Sequence, residues 1–318
     1  MTAARMVAMG EVLAEFTRPC GGPPLDVAGP FEGPFIGGAP TIFAGACMRL
    51  GVPTTLLATV GDDAFGRLIR RQAMRDGLDL TYVVIDPARP TGCAFIAYAA
   101  DGRRDFIFHL RDAAAGTVDP AWPPPVVLTT AHWLHVCGST LTLSRAWEDV
   151  ILNAVRMAKT HGAHISFDPN LRPELLTERS ASEVYAPVLR LADIVLPSGD
   201  EAIMLTGERT PEEGCQRLLK EGADLVILKR GAQGATAFTR DQQYDAAPFP
   251  VTEVDPTGAG DVFAAALACA LLVGRTVPVA LRHACAAGAL AVTRRGGLDG
   301  APTQAELDAF LSAGALGT

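Results

Sequence analysis

Apolar positions along this chain switch between two periods, and the switches mark a unit that repeats. Residues 6–9 and 54–60 are short apolar or β-branched runs, ending on Gly10 and on Gly61-Asp62-Asp63-Ala64-Phe65-Gly66. Each reads as a strand stopping at a turn where backbone and ligand can meet. Helical spacing follows at 39–50, closed by Gly51, and again up to Asp76. The rhythm resumes with strands at 131–136, 164–167, 194–196 and 225–228. Helices are expected at 143–160, around Glu201, at 211–221, and near 258–273, 277–294 and 303–312. Strand, turn and helix in that order predict an α/β fold with a mostly parallel sheet. The strand ends carry Gly10, Gly61, Gly138, Asp168, Ser198 and Lys229, which are expected to line one cleft outside the carboxyl ends of the strands.

Two stretches break the rhythm. Residues 19–38, rich in Gly and Pro, are either a flexible loop or part of a small flap over a site. Residues 92–110 form two short strands around Asp101-Gly102, a hairpin signal that does not fit a parallel sheet. The expectation is a single domain over 1–318 carrying a small β lid built from segments 11–36 and 92–112.

Composition narrows the classes without changing this picture. The chain has 318 residues, of which 49% are hydrophobic and 19% charged, and can bury a sizeable core. Its net charge of −8 argues against nucleic acid or an anionic membrane as main partner. No apolar run reaches membrane-spanning length, and the first residues lack the apolar core of a secretion signal, so the expected compartment is the cytoplasm. Seven scattered cysteines without a Cys-x-x-Cys pair read as reduced thiols. The pairs His132/His135 and His161/His164 would bind metal only by converging with other ligands.

The chemistry concentrates at 254–263, Val-Asp-Pro-Thr-Gly-Ala-Gly-Asp-Val-Phe, immediately before an apolar helical run. Gly258, Ala259 and Gly260 can present successive N–H groups as a concave nest at a helix N-terminus, which favours an anion. Asp261 is a carboxylate in the rim of that nest. It is either a base that accepts a proton from an alcohol during phosphoryl transfer, or a helix N-terminal acid favoured by the dipole. The helix N-terminus is expected to keep it ionised and weakly basic.

Asp255-Pro256-Thr257-Gly258-Ala259-Gly260-Asp261 resembles the C-terminal signature Asp-Thr-x-Gly-Ala-Gly-Asp of the ribokinase-like sugar kinases, the phosphofructokinase-B family. The likeness runs from Gly10 to about Leu311. It implies a three-layer α/β/α core with a mostly parallel sheet and a small β lid. It also implies Asp261 as catalytic base, Gly258 to Gly260 as anion hole, Thr257 beside the nucleotide, ATP and Mg²⁺ as cofactors, and a monovalent cation such as K⁺ near Asp255. Gly37-Gly38-Ala39-Pro40 resembles the N-terminal signature, but Ile42 stands where the family has an Asn that contacts a sugar hydroxyl. Some kinases for ketohexoses such as tagatose have a similar run there. Glu15 resembles the glutamate of 2-keto-3-deoxygluconate kinases, and Arg111, Asn170 and Arg172 match positions near their substrate. The two arginines either bind a sugar-acid carboxylate, clamp phosphate, or pair at the surface with Asp112 and Glu174. Ser198-Gly199-Asp200-Glu201 occupies the place of the family's Asn-x-x-Glu, implying an indirect role for Glu201 toward Mg²⁺. Lys229, Gly231 and Gly234 match its Lys-x-Gly-x-x-Gly loop near the ATP phosphates.

The expected activity is therefore ATP-dependent phosphorylation of a primary hydroxyl on a small sugar or keto sugar acid. Exposed lid edges predict a homodimer. A nicotinamide dehydrogenase would place its Gly-x-Gly after the first strand, and a Walker-type ATPase needs a Gly-Lys-Ser/Thr that does not occur. The rival that stays open is a non-catalytic sugar-binding regulator of kinase ancestry, motivated by Ile42, Ser198 and Pro256.

Overall fold

The computed structural model describes residues 5–19, 21–98, 104–176 and 179–314. Its centre is a sheet of nine strands in the order β13-β12-β11-β10-β9-β8-β1-β4-β5. The members are β1 (Met6–Met9), β4 (Thr54–Gly61), β5 (Val83–Asp86), β8 (Trp133–Cys137), β9 (His164–Asp168), β10 (Ile194–Val195), β11 (Leu225–Lys229), β12 (Ala235–Phe238) and β13 (Gln243–Ala246). All neighbours pair parallel except β11 with β12 and β12 with β13. Residues of β1, β4, β8 and β11 are buried throughout, as helices on both faces require.

Helices flank the sheet on two sides, giving three layers. On one side Arg145–Thr160 buries Trp147, Val150, Ile151, Ala154, Val155 and Ala158, a stripe at helical spacing, and Ser144 caps it by accepting from Trp147 N–H at 3.3 Å. On the other, Ala259–Leu272 has little amphipathic contrast: Val262 to Ala270 are all buried. Its run of alanines lets it sit between Ala39–Arg49 and Val277–Ala291. The catalytic candidate Asp261 thus starts a helix anchored inside the core.

A second, four-stranded sheet has the order β3-β2-β6-β7, with β2 (Leu13–Thr17), β3 (Glu32–Gly37), β6 (Gly92–Tyr98) and β7 (Arg104–His109). β2 pairs parallel with β6, and the other pairs are antiparallel. The stretch 19–38 therefore ends in a regular strand and is not all irregular loop. The Asp101-Gly102 turn and Cys20 lie outside the described residues. Elements absent from the sequence reading include β5, the β12–β13 hairpin and helix Ala181–Leu189, which carries a capping box between Ser180 and Glu183. Among the described residues no helix is long and apolar enough to cross a membrane, and the six described cysteines are free.

Candidate active site

Two joined cavities open at the carboxyl ends of the central strands. The wider, about 750 Å³, runs past Ser198, Lys229, Gly231 and Gly234 to Phe249 and Gly288. The narrower, about 70 Å³, lies beneath the second sheet, between Glu11, Glu15, Gly38 and the inward side chains Phe106 and Phe108. Asn170, Arg172, Gly258 and Asp261 line both. A group held there faces both cavities at once.

Gly258 has φ 74°, and a Cβ on it would lie 2.7 Å from Gly297 Cα, so the turn into the helix requires glycine. Ala259 N–H reaches Pro256 O only at 3.4 Å, and among the described residues the N–H groups of Gly258 and Gly260 meet no protein acceptor. These residues line the wide cavity beside Lys229, whose Nζ lies 3.7 Å from where a Gly260 Cβ would project. The arrangement suits a polyanion.

Asp261 is half-buried by surface because it opens on the cavities, yet protein crowds its carboxyl on the remaining sides. That burial first, and the Asp168 charge second, push its pKa up to about 8 against the pull of Lys229 and Arg172. This corrects the expectation that the helix N-terminus keeps Asp261 ionised and weakly basic: burial and the Asp168 charge instead raise its pKa. Lys229 is buried in an ion pair with Asp168, and its own pKa rises because the Asp168 and Glu201 charges outweigh desolvation.

Glu15, 7% exposed, rests on Gly37, where any Cβ would collide with its carboxyl. Burial, then the Asp261 and Asp255 charges, raise its pKa to about 8, and among the described residues its Oε2 meets no partner. Glu11 was not singled out from sequence. It is buried in the same pocket, accepts from Ser139 Oγ at 2.7 Å and from Thr140 Oγ1, and is raised by desolvation. Its only signal was its place directly after the strand-end Gly10.

Glu201 accepts from Leu171 N–H at 2.7 Å and from Ser198 N–H at 2.6 Å, which fixes both loops at the cavity edge. Burial and then Asp168 raise its pKa. Asp255 accepts from Thr257 N–H at 2.9 Å and Gly296 N–H at 3.0 Å, and Thr257 Oγ1 pairs with the Tyr98 hydroxyl. Gly234, at φ 86°, packs against the Ala246 carbonyl and closes the Lys229 loop.

Other expected site residues are not brought together. Arg111 lies outside the narrow pocket: its guanidinium donates to the Leu175 carbonyl and, at 3.4 Å, to that of Thr142. Neither Asp112 nor Glu174 pairs with the arginines; Arg172 stacks over Phe106 at 5.4 Å. Of the six strand-end residues, Asp168, Ser198 and Lys229 line the cleft, whereas Gly10, Gly61 and Gly138 pack closed against Thr140, the Arg89–Thr91 backbone and Tyr185. His135 stacks on Phe43 and bonds Ser166, while His132 faces Arg5 N–H, so that pair does not converge. No group of three or more metal-ligating side chains occurs among the described residues.

Residues 4–304 match the model of the pfkB family of carbohydrate kinases. The chain is 32% identical over 312 residues to the 2-dehydro-3-deoxygluconokinase of Thermoproteus tenax, covering 97% of this chain and 94% of that one. An E.coli protein assigned provisionally as ribokinase II, solved with ATP and Mg²⁺, superposes with TM-score 0.89 at 37% identity, covering 98% and 99% of the two chains. A Vibrio cholerae fructokinase double mutant, solved with fructose, ADP and potassium, does so with TM-score 0.84 at 30% identity, covering 97% and 98%.

Proposed function

This chain belongs to the pfkB family of carbohydrate kinases, and on that footing we propose that it transfers the γ-phosphoryl group of ATP to a primary hydroxyl of a small neutral sugar, a ketohexose or close relative. The observation that carries this reading is Asp261, which faces both cavities beside N–H groups without protein acceptors. Asp261 would take the proton of the attacking hydroxyl. The N–H groups of Gly258, Ala259 and Gly260 and the Lys229 ammonium would hold the charge of the transferring group. Glu15 Oε2, buried without a partner, would accept from sugar hydroxyls, with Asn170 and Gly38 beside it.

A neutral sugar is favoured over a keto sugar acid because the narrow pocket offers few cations to pair with a carboxylate. Among the described residues that line it, Arg172 is the one cation, since Arg111 is turned onto main-chain carbonyls, and the carboxyls of Glu11, Glu15 and Asp261, raised in pKa by burial, suit hydroxyl groups. Ile42, in place of the family's Asn, adds an apolar wall wedged against Gly297. ATP fits the wide cavity by size and by its donors. Mg²⁺ would neutralise phosphate charge there. Glu201 would act on it through water, because both its oxygens already accept N–H groups. Asp255 shapes the loop where a monovalent cation such as K⁺ would sit. The second sheet would act as the lid of a single kinase domain that excludes water, and we place the enzyme in the cytoplasm as a homodimer.

An ADP-release assay over fructose, tagatose, ribose and 2-keto-3-deoxygluconate tests the reading. Turnover is expected with a ketohexose and weakest with the sugar acid. Asp261→Asn should lower kcat at least ~100-fold with ATP affinity little changed. Sugar binding without turnover by the unsubstituted protein would instead establish the non-catalytic regulator.

A further inference from the structure

Among the described residues, Tyr98 is the lid residue whose polar tip reaches the loop leading into the donor nest. It stands at the end of β6 and lines the narrow pocket with Ile96 and Phe106. Its hydroxyl pairs with Thr257 Oγ1 and donates to Asp255 Oδ1 at 3.4 Å. Asp255 in turn holds Thr257 N–H and Gly296 N–H, and Gly258, the next residue in the chain, opens the nest against Gly297. A single hydroxyl thus links the lid sheet, through two residues, to the first donor of the anion hole. β3 also meets this region, through the exposed Glu32–Arg295 ion pair at its start and through the Phe35 ring packed at Gly296, but among the described residues neither brings a polar group to Asp255 or Thr257.

We propose that Tyr98 is a positioning residue, through which seating of the lid over the sugar sets the geometry of the Gly258–Gly260 donors. The inference rests on the kinase reading above. Donors aimed at a developing charge lose effect steeply when displaced, so a loop held from the lid ties the chemical step to lid closure. With the hydroxyl gone, Thr257 Oγ1 loses its partner on the lid sheet, while the apolar wall toward the sugar keeps its ring.

The test compares Tyr98→Phe, Thr257→Val, the double variant and Glu32→Gln in steady-state kinetics with the best sugar, alongside thermal melts. Tyr98→Phe is expected to lower kcat about tenfold with sugar KM changed less than about threefold, a transition-state effect in an intact pocket. The double variant should be no slower than the slower single variant, because the two hydroxyls act as one unit. Glu32→Gln should move sugar KM more than kcat. Equal kcat for Tyr98→Phe and the unsubstituted enzyme would overturn the inference, as would losses that multiply in the double variant or a slow Tyr98→Phe explained by a lowered melting temperature. Absence of turnover in the unsubstituted enzyme would overturn the kinase reading itself, and this inference with it.

Discussion

Asp261 answers two opposing demands: a base must be deprotonated to act, and a carboxyl in a closed site resists ionisation. With a pKa near 8 against an ordinary 3.8, the folded protein binds its proton more tightly than the unfolded chain does. Glu15, at about 8 against 4.5, behaves likewise. Their share of stability is full below the unfolded values and is lost as pH climbs through about 8. The ligand-free protein should therefore melt at lower temperature at about pH 9 than at about pH 6. Asp261→Asn should flatten that slope and gain most at the alkaline end. Melting curves with the same slope in both proteins would contradict this. The same protonation should appear in the rate: kcat/KM for the sugar is expected to rise with pH along a limb whose midpoint lies near 8. A pH-independent kcat/KM across that range would argue against Asp261 as the base. Sequence shows that an acid stands in the nest rim, because that is a matter of spacing. It does not show the pKa, because Asp168 and Glu11 reach Asp261 only through the fold.

At the scale of elements, helix Ala259–Leu272 does its work by where it begins. Gly258 must take φ 74° and approach Gly297, so Gly258→Ala forces a Cβ into Gly297 and a left-handed alanine, costing roughly 1–2 kcal/mol before the clash is counted. The helix is held by its buried flanks, so the fold should persist while the nest is displaced. Activity is expected to fall at least ~100-fold with melting lowered only modestly, as for removal of oxyanion donors. Near-full activity would show that the nest is not used. This helix, β1, β4, β8 and β11 were legible because their apolar runs are continuous, as burial on both faces demands. The edge strands β5 and β13 were not: Val83–Asp86 and Gln243–Ala246 lie at the margins of the sheet, partly exposed and too short for a pattern to stand out. Arg111 failed for another reason. Its position two residues past the end of β7 is readable, but whether a long side chain turns inward or onto the Leu175 carbonyl depends on a loop some sixty residues away in sequence.

In the whole molecule the second sheet faces two ways. Ile96, Tyr98, Phe106 and Phe108 point at the narrow pocket, and the alternation of a strand sends Phe95 and Ile107 to the opposite face. That outer face carries Phe16 stacked on Phe95 at 5.2 Å and Phe31 edge-on to it at 5.5 Å, with Phe31 38% and Ile107 44% exposed. Among the described residues β3 and β7 each pair on one side only, so the sheet also offers two open edges. A half-aromatic sheet face with open edges is a surface that a second copy can cover, and covering it would stiffen the lid. Light scattering on the eluting protein should therefore give the mass of a dimer. Ile107→Asp, which sets a charge in the middle of that face, should give a monomer. The inner face is left intact, so the monomeric variant should still phosphorylate sugar, with a raised sugar KM because each lid now closes without support from its partner. A dimer that survives Ile107→Asp would place the interface elsewhere, and a monomer with unchanged KM would separate assembly from lid closure.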